Sequence, residues 1–332
     1  MSRATRAAAG ARVALLAAAV VLLGVAAVVS LGVGARAIAP GDVVRVLLSP
    51  DGSPDAMIVW DVRAPRAVLA VAAGAALAVA GALVQALSRN PLAEPGVLGV
   101  TAGAGFAITV GSALGVAGAA GELLLSVLGA VLAALLVYAV GRTSPLRLVL
   151  TGVALTSVLS GVGLGLRLLV PDVFDRYRFW AVGSLAGREQ APTTVPLLAI
   201  ALALVGALVL SRQLDAVALG EGVARALGAN VARVRVGALV LVTALAGAAT
   251  AVAGPILFVG LIVPHLARRA AGASVPWLVG YALVLGPVLL LLADTASRVL
   301  LPTGEVPVAI VTAFLGGPVL AWAVRKYGAA EL

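Results

Sequence analysis

Long uncharged apolar segments recur along this chain, and they limit its possible folds more than any other feature. About 20 apolar residues in a helix cross the hydrocarbon core of a bilayer, which is about 30 Å thick. Segments of about this length or longer cover residues 13–35, 67–88, 95–121, 123–141, 148–166, 191–211, 236–264, 270–293 and 306–324. Little sequence remains between them. Residues 1–332 are therefore predicted to form a single transmembrane domain in an all-α, multi-pass membrane protein.

Composition and charge agree with this prediction and exclude several classes of function. Hydrophobic residues make up 62% of the chain, and charged residues make up 11%. The net charge of +9 comes from arginines in short loops at the ends of the segments, a distribution typical of membrane orientation and not of nucleic-acid binding. The chain has no cysteine, which excludes disulfides, thiolate metal sites and thiol catalysis. We predict no catalytic residue and no metal site.

The charges of the loops predict the orientation. With the N-terminus inside, the inner loops hold most of the arginines and the outer loops hold most of the acidic residues, so both termini are predicted to be cytoplasmic. The largest outer loop is predicted at residues 36–66, where prolines, glycines and aspartates favour turns. The first segment has a basic lead like a signal peptide, but its length favours a retained helix.

The segment 236–264 predicts a broken helix. Arg233 and Arg235 precede it and Arg268 and Arg269 follow it, so both of its ends are expected inside. Two full crossings need about 40 residues, and the segment is shorter than that. One crossing must therefore be short, with Gly254-Pro255 as the natural break. Such a break is tolerated where it faces protein or a water-filled cavity, which favours a role in lining a path. The alternative is a kinked structural helix. Counting the hairpin as two crossings gives about ten transmembrane helices.

The longest polar interruption lies between two strongly apolar runs, at residues 210–235. Gly220 can begin a short helix, Glu221 places a carboxylate in its first turn, and Gly228 can close it in a left-handed cap. A helix this short is only marginally stable by itself in water. We therefore expect another protein to pack against it. An ordinary basic loop is the alternative.

Other polar residues near the segments have open roles. Arg63 and Arg66 can share one helix face and could dock an acidic partner or reach towards lipid headgroups. Asp294 directly follows the segment 270–293, is expected to be embedded in the span, and precedes Arg298 by four residues, which favours an ion pair. His265, the single histidine, is interpreted as a hydrogen-bonding residue and not as a ligand or proton relay.

Several strings resemble the FecCD family, the permease subunits of ABC importers for iron-siderophores, haem and vitamin B12. The strings RNPLAEPGVLG (89–99), FWAVGSLAG (179–187), LGEGVARALGANVARVR (219–235) and GPILFVGLIVPH (254–265) follow one another in the family's order, and the resemblance covers nearly the whole chain. It implies a permease that is not itself an enzyme, in the cytoplasmic (inner) cell membrane. The favoured cargo is an iron(III)-siderophore, with vitamin B12 or haem as the alternative.

The resemblance also implies partners. A second permease subunit would complete a homo- or heterodimer, two P-loop ATPases would bind below it, and an extracytoplasmic solute-binding protein would bind above it. The chain contains no GxxxxGK[ST] sequence, so ATP would act through the ATPase chains and no cofactor would bind directly.

The family's motifs assign roles to individual residues here. ATPase coupling would fall on Leu219, Gly220, Glu221, Ala224, Arg225, Leu227 and Gly228, within a coupling region at 212–235. The residues that dock the binding protein would be Arg63, Arg66 and Arg298. The transport path would include Thr156, Ser160, Gly254, Pro255 and Pro264. A hydroxyl pair that gates some members would correspond to Thr143 and Ser144, although an extra proline interrupts the match in RTSPLRL (142–148).

Two other classes of function remain as alternatives. An ion-coupled secondary transporter would need acidic or histidine relays in mid-membrane, and only Asp294 is available. A non-transporting membrane scaffold would not require broken helices. An intramembrane enzyme would need a Ser/His, paired-Asp or metal-ligand set, which the segments lack.

Overall fold

The computed structural model describes residues 3–116, 118–141, 145–188 and 192–327. Within these residues the chain is helical and contains no β-strand. The α-helices are α1 (Arg3–Gly32), α2 (Pro40–Leu48), α3 (Pro54–Met57), α4 (Ala64–Ser88), α5 (Val100–Ala113), α6 (Ala119–Gly141), α7 (Pro145–Leu169), α8 (Pro171–Ala181), α9 (Thr194–Ala218), α10 (Glu221–Ala226), α11 (Val231–Ala253), α12 (Val259–Ala271), α13 (Val275–Ser297) and α14 (Val308–Tyr327). A π-helical segment, Ile58–Arg63, joins α3 to α4, and a 3-10 turn, Pro95–Leu98, precedes α5.

Among the described residues, seven helical stretches are long and apolar enough to cross a bilayer. They are Ala9–Gly32, Pro54–Ser88, Ala120–Gly141, Arg147–Leu169, Thr194–Ala218, Val231–Ala253 and Val275–Ser297. Two shorter apolar helices, Val100–Ala113 and Val308–Trp322, accompany them. The predicted class, an all-helical multi-pass membrane protein, agrees with this architecture.

Helix α4 forms the centre of the bundle. It packs against α9, α11, α12 and α13, and 78% of its most apolar stretch is buried. Small residues permit this packing because they let helix backbones approach closely. Gly74 of α4 faces Gly286 of α13, and Gly81 faces Gly260 of α12. By contrast, only 11% of the corresponding stretch of α7 is buried, so α7 presents most of its surface outside this subunit.

The segment predicted as a large outer loop, 36–66, is mostly helical. Proline at the first helical position starts both α2 and α3, where its missing N–H costs no hydrogen bond. Ser53 caps α3 by accepting a hydrogen bond from Ala56 N at 3.2 Å. Helix α2 buries Val43 and Val46 in a small apolar cluster with the end of α1. This hydrophobic contact explains why the turn-rich sequence folds back on the bundle.

The predicted break after α11 is present. Helix α11 ends at Ala253, and Gly254 takes a φ of 73°, which favours glycine. Phe258 also has a positive φ, 69°, at the start of α12. Helix α12 has only 13 residues, so it is the short member of the predicted hairpin.

Candidate functional site

The short helix α10 lies where the coupling helix is predicted, between α9 and α11. Gly220 precedes it with a φ of 123°, and Gly228 follows it with a φ of 79°. Gly228 N donates to Arg225 O at 3.0 Å, and Ala229 N donates to Ala224 O at 2.9 Å, the hydrogen-bond pattern of a left-handed helix end. The helix ends at Ala226, two residues before Gly228, which was predicted to close it.

An exposed apolar stripe lies on α10 and at its two ends. Leu219, Val223 and Leu227 are spaced four residues apart and are 67%, 46% and 68% exposed. Ala224 is fully buried and anchors the helix against the bundle. Val223 and Leu227 are four residues apart and share one face at the end of α10, and Leu219 precedes the helix, so the three form an exposed apolar surface at a bundle end. Val223 is absent from the residues predicted by sequence, although its i+4 spacing from Leu227 is a signal that could have identified it.

At the opposite end of α4, five charged residues form what we call the arginine network: Arg63, Arg66, Asp294, Arg298 and Glu305. Arg66 Nε donates to both carboxylate oxygens of Asp294, at 3.0 and 3.1 Å, and Arg66 Nη2 lies 2.9 Å from Asp294 Oδ1. Arg66 Nη2 also lies 2.8 Å from Glu305 Oε2. The carboxylate of Asp294 is completely buried, whereas the Glu305 side chain is 40% exposed.

Arg298 and Arg63 hold the end of α1 against the network. Arg298 donates to Val33 O and Ser30 Oγ, both at 2.9 Å, and its Nε lies 3.5 Å from Asp294 Oδ2. Arg63 donates to the carbonyl oxygens of Leu31, at 2.6 Å, and Arg36. The predicted pairing of Asp294 with Arg298 is present, but Arg66 is the closer partner. The pairing of Arg66 with Asp294 could not be predicted from local sequence, because the two residues are 228 positions apart.

The predicted docking role of the arginines stays a prediction. The structure brings Arg63, Arg66 and Arg298 together, but their side chains are nearly buried and point to partners within the subunit. Any external carboxylate would have to reach Arg66 beside Glu305, the exposed acid of the network.

A cavity of about 460 Å³, here called the α7 cavity, opens between α5, α7, α8 and the break after α11. It is lined by Glu94, Gly96, Thr101, Ala102, Val153, Thr156, Ser157, Ser160, Tyr177, Trp180, Ala181, Pro255 and Leu257. Of the predicted path residues, Thr156, Ser160 and Pro255 meet here. Gly254 lies behind the wall, where a Cβ would be 2.5 Å from Trp180 O, and Pro264 is buried inside α12. Thr143 and Ser144 lie outside the described residues.

Glu94 connects the α7 cavity to the broken helix. Its Oε1 accepts a hydrogen bond from Phe258 N at 2.7 Å, at the residue that precedes α12. Negative charge at a helix N-terminus is favourable, which explains the position of this carboxylate. Arg167 contacts the lining residue Tyr177, with its guanidinium carbon 3.9 Å from the ring centre, and its Nη1 lies 3.1 Å from Thr109 Oγ1. Glu94, Arg167 and Tyr177 are absent from the residues predicted by sequence.

The described part of the chain contains no candidate metal site, because no three histidine, cysteine, aspartate or glutamate residues cluster there. His265 packs edge-on against Trp322, with ring centres 5.8 Å apart.

Comparisons with known proteins identify a family and several relatives. The profile of the FecCD transport family matches residues 20–326. The ferric enterobactin transport system permease protein FepD of Escherichia coli (strain K12) is 45% identical over 300 residues, which cover 89% of this chain and 90% of that protein. The hemin transport system permease protein HmuU of Yersinia pestis is 36% identical over 281 residues, covering 81% and 83%. A solved inward-facing structure of a metal-chelate type ABC transporter superimposes with a TM-score of 0.83 at 31% identity, covering 94% of this chain and 99% of that one.

Proposed function

Because the chain belongs to the FecCD transport family, we propose that it is the permease subunit of an ATP-driven importer for an iron(III)-siderophore. The observation that carries this proposal is the exposed apolar stripe of α10, which stands at one end of a membrane-spanning bundle. An isolated two-turn helix gains little stability by itself, so an exposed apolar face on it is best explained by a protein partner. We assign that partner as a P-loop ATPase.

The proposed topology has ten crossings and both termini on the cytoplasmic side of the cell membrane. Seven long helices contribute seven crossings, and α5, α12 and α14 supply the other three. An even number of crossings returns the chain to its starting side. The positive-inside rule then assigns α10 and both termini to the cytoplasm, and the arginine network to the outer face.

The proposed path runs along α7 at the contact with a second permease subunit. Support comes from the low burial of α7 and from the α7 cavity beside it. The cavity combines hydroxyl groups, aromatic rings and a helix break, so it offers weak and varied contacts to a bulky chelate. In the proposed cycle, closure of two ATPases moves the α10 helices and switches the cavity between outward- and inward-facing states.

The cargo assignment follows from the sequence identities to relatives that carry different cargoes. FepD, a ferric enterobactin permease, is 45% identical, whereas HmuU, a hemin permease, is 36% identical. This difference favours a siderophore over haem, which remains the second candidate with vitamin B12. A solute-binding protein on the outer face would supply the cargo and would dock near Arg63, Arg66 and Arg298.

The coupling role predicts loss of the ATPase from a stripe variant. Replacing Leu219, Val223 and Leu227 together by serine removes the apolar face while leaving buried Ala224 in place. We expect at least a tenfold fall in the ATPase that co-purifies with the tagged permease from cells expressing the neighbouring genes, and a matching loss of uptake. The control replaces three exposed apolar residues of α9, Leu198, Leu202 and Val205, which face away from the bundle. Unchanged ATPase recovery with a folded stripe variant would refute the coupling assignment.

The path assignment predicts a block by a bulky side chain. Ser160 lines the α7 cavity, so Ser160→Trp fills part of a volume of about 460 Å³. We expect siderophore uptake to fall more than tenfold while ATPase co-purification stays normal, because α10 is distant in the fold. Leu202→Trp on the exposed face of α9 is the matched control. Normal uptake by Ser160→Trp would mean that the cargo does not pass this cavity.

A further inference from the structure

A second cavity, of about 590 Å³, lies at the α10 end of the bundle and has no part in the proposed path. We call it the basic pocket. The ends of α4, α9, α12 and α13 surround it. Arg89 enters it just after α4, and Arg268 and Arg269 enter it from the last turn of α12. Three guanidinium groups thus converge on one partly enclosed space.

The positive charge of the basic pocket is not balanced by its lining. Asp215 is the acidic residue there, and its Oδ1 accepts a hydrogen bond from Val275 N at 2.8 Å. Arg89 donates to a neutral acceptor, Val217 O at 2.9 Å, and Arg268 donates to Gln85 Oε1 at 3.0 Å. Among the described residues, Arg268 Nε is buried without a hydrogen-bond partner. Three cations therefore face one carboxylate, and one buried donor remains available to an anion.

The surroundings of the basic pocket indicate where that anion comes from. Arg269 lies 5.4 Å from the ring centre of Trp322, an exposed tryptophan at the same end of the bundle. Tryptophan is typical of the membrane–water interface, where lipid headgroups lie. Apolar residues such as Leu92 and Leu278 line the pocket beside the arginines. Arginines next to an apolar wall at headgroup level match both the phosphate and the acyl region of a lipid.

We propose that the basic pocket binds the phosphate of an anionic phospholipid. Basic pockets between transmembrane helices on the cytoplasmic side are known to hold such headgroups, and arginine matches phosphate geometry in two-point hydrogen bonds. The bound lipid would hold the ends of α4, α9, α12 and α13 together next to Leu219, which lies between α9 and α10. This lipid site is independent of the cargo and goes beyond the proposed function.

The test measures lipid binding to the full chain, purified with and without its co-expressed partners and placed in phosphatidylcholine nanodiscs with increasing phosphatidylglycerol. Retained phosphatidylglycerol is counted by native mass spectrometry. Each arginine removed should weaken binding about fivefold, the factor that corresponds to about 1 kcal/mol per charge at the membrane surface. We therefore expect about 25-fold weaker binding for Arg268→Gln/Arg269→Gln. Arg147→Gln/Arg212→Gln, which removes two exposed arginines outside the pocket, should bind as the natural chain does.

A single variant keeps the test decisive if the double variant fails to fold. Arg269 is exposed, so Arg269→Gln leaves the interior unchanged and should weaken binding about fivefold. Equal phosphatidylglycerol binding by the pocket and control variants would overturn the proposal. So would displacement of the lipid by millimolar inorganic phosphate, which would assign the pocket to a soluble anion. Loss of the lipid whenever the ATPase is bound would assign the arginines to an acidic surface of that partner instead.

Discussion

Replacing Asp294 by alanine is expected to destabilise the protein by about 3–5 kcal/mol, the cost of removing one partner from a buried ion pair. Asp294 is completely buried and receives three hydrogen bonds from Arg66. Arg298 lies against the same carboxylate, 3.5 Å away. Without the carboxylate, two nearly buried guanidinium groups face each other, and only the half-exposed Glu305 remains to balance them.

The free energy of unfolding in mixed micelles measures this effect, with size-exclusion profiles as a check on folding. Asp42→Ala provides the control because Asp42 makes an ion pair with Arg45 at 3.1 Å that is exposed on both sides. Such surface pairs contribute about 0–1 kcal/mol. The stability of Asp294→Asn should lie between the stabilities of the two alanine variants, because asparagine keeps a hydrogen-bond acceptor but loses the charge. An Asp294→Ala variant as stable as Asp42→Ala would show that the arginine network does not hold α1, α4 and α13 together.

The arginine network also bears on docking. The guanidinium groups of Arg63 and Arg298 donate hydrogen bonds to carbonyl oxygens near the end of α1. Both residues therefore have a structural role within the subunit. Glu305 is the network member with an exposed side chain, and it already pairs with Arg66. An acidic group of a binding protein would therefore meet Arg66 in competition with Glu305.

Features that depend only on nearby residues could be predicted from the sequence. Bilayer-spanning length is a property of one segment, so the apolar runs identify the membrane class without any tertiary information. The break at Gly254 and the left-handed end at Gly228 follow from backbone conformations that glycine adopts at low cost. The order of the FecCD motifs predicts the family from sequence alone, and the family match over residues 20–326 confirms it.

Features that depend on distant contacts were not predictable. Arg66 and Asp294 meet only after α4 and α13 pack along their whole lengths, so the nearer Arg298 was the natural choice from sequence. The same holds for Glu94, whose role at the start of α12 depends on Phe258, 164 positions away. Residues 36–66 were predicted as a loop because turn residues dominate the segment, whereas burial of Val43 and Val46 decides its helical structure.

Substituting Gly81 by alanine is expected to have an effect as large as the loss of Asp294. Gly81 of α4 contacts the main chain of Gly260 in α12, and a Cβ at Gly81 would overlap the Gly260 carbonyl group. A main-chain group cannot rotate away as a flexible side chain can, so α12 would have to move as a unit. Overpacking usually costs about 1–3 kcal/mol, and a backbone overlap in the centre of the bundle should reach or exceed the upper limit.

Gly280→Ala separates this steric effect from helix propensity. A Cβ at Gly280 of α13 meets nothing within 4 Å. Alanine is favoured over glycine inside a helix by about 1 kcal/mol, so Gly280→Ala should be neutral or stabilising. The free energy of unfolding and the yield of folded protein are measured for both variants. If Gly81→Ala were as stable as the natural protein, the backbones of α4 and α12 would have to lie far enough apart to accommodate a Cβ at position 81. The break that starts α12 would then lack the support of α4, so the wall of the α7 cavity formed by Pro255 and Leu257 would not be fixed by this packing.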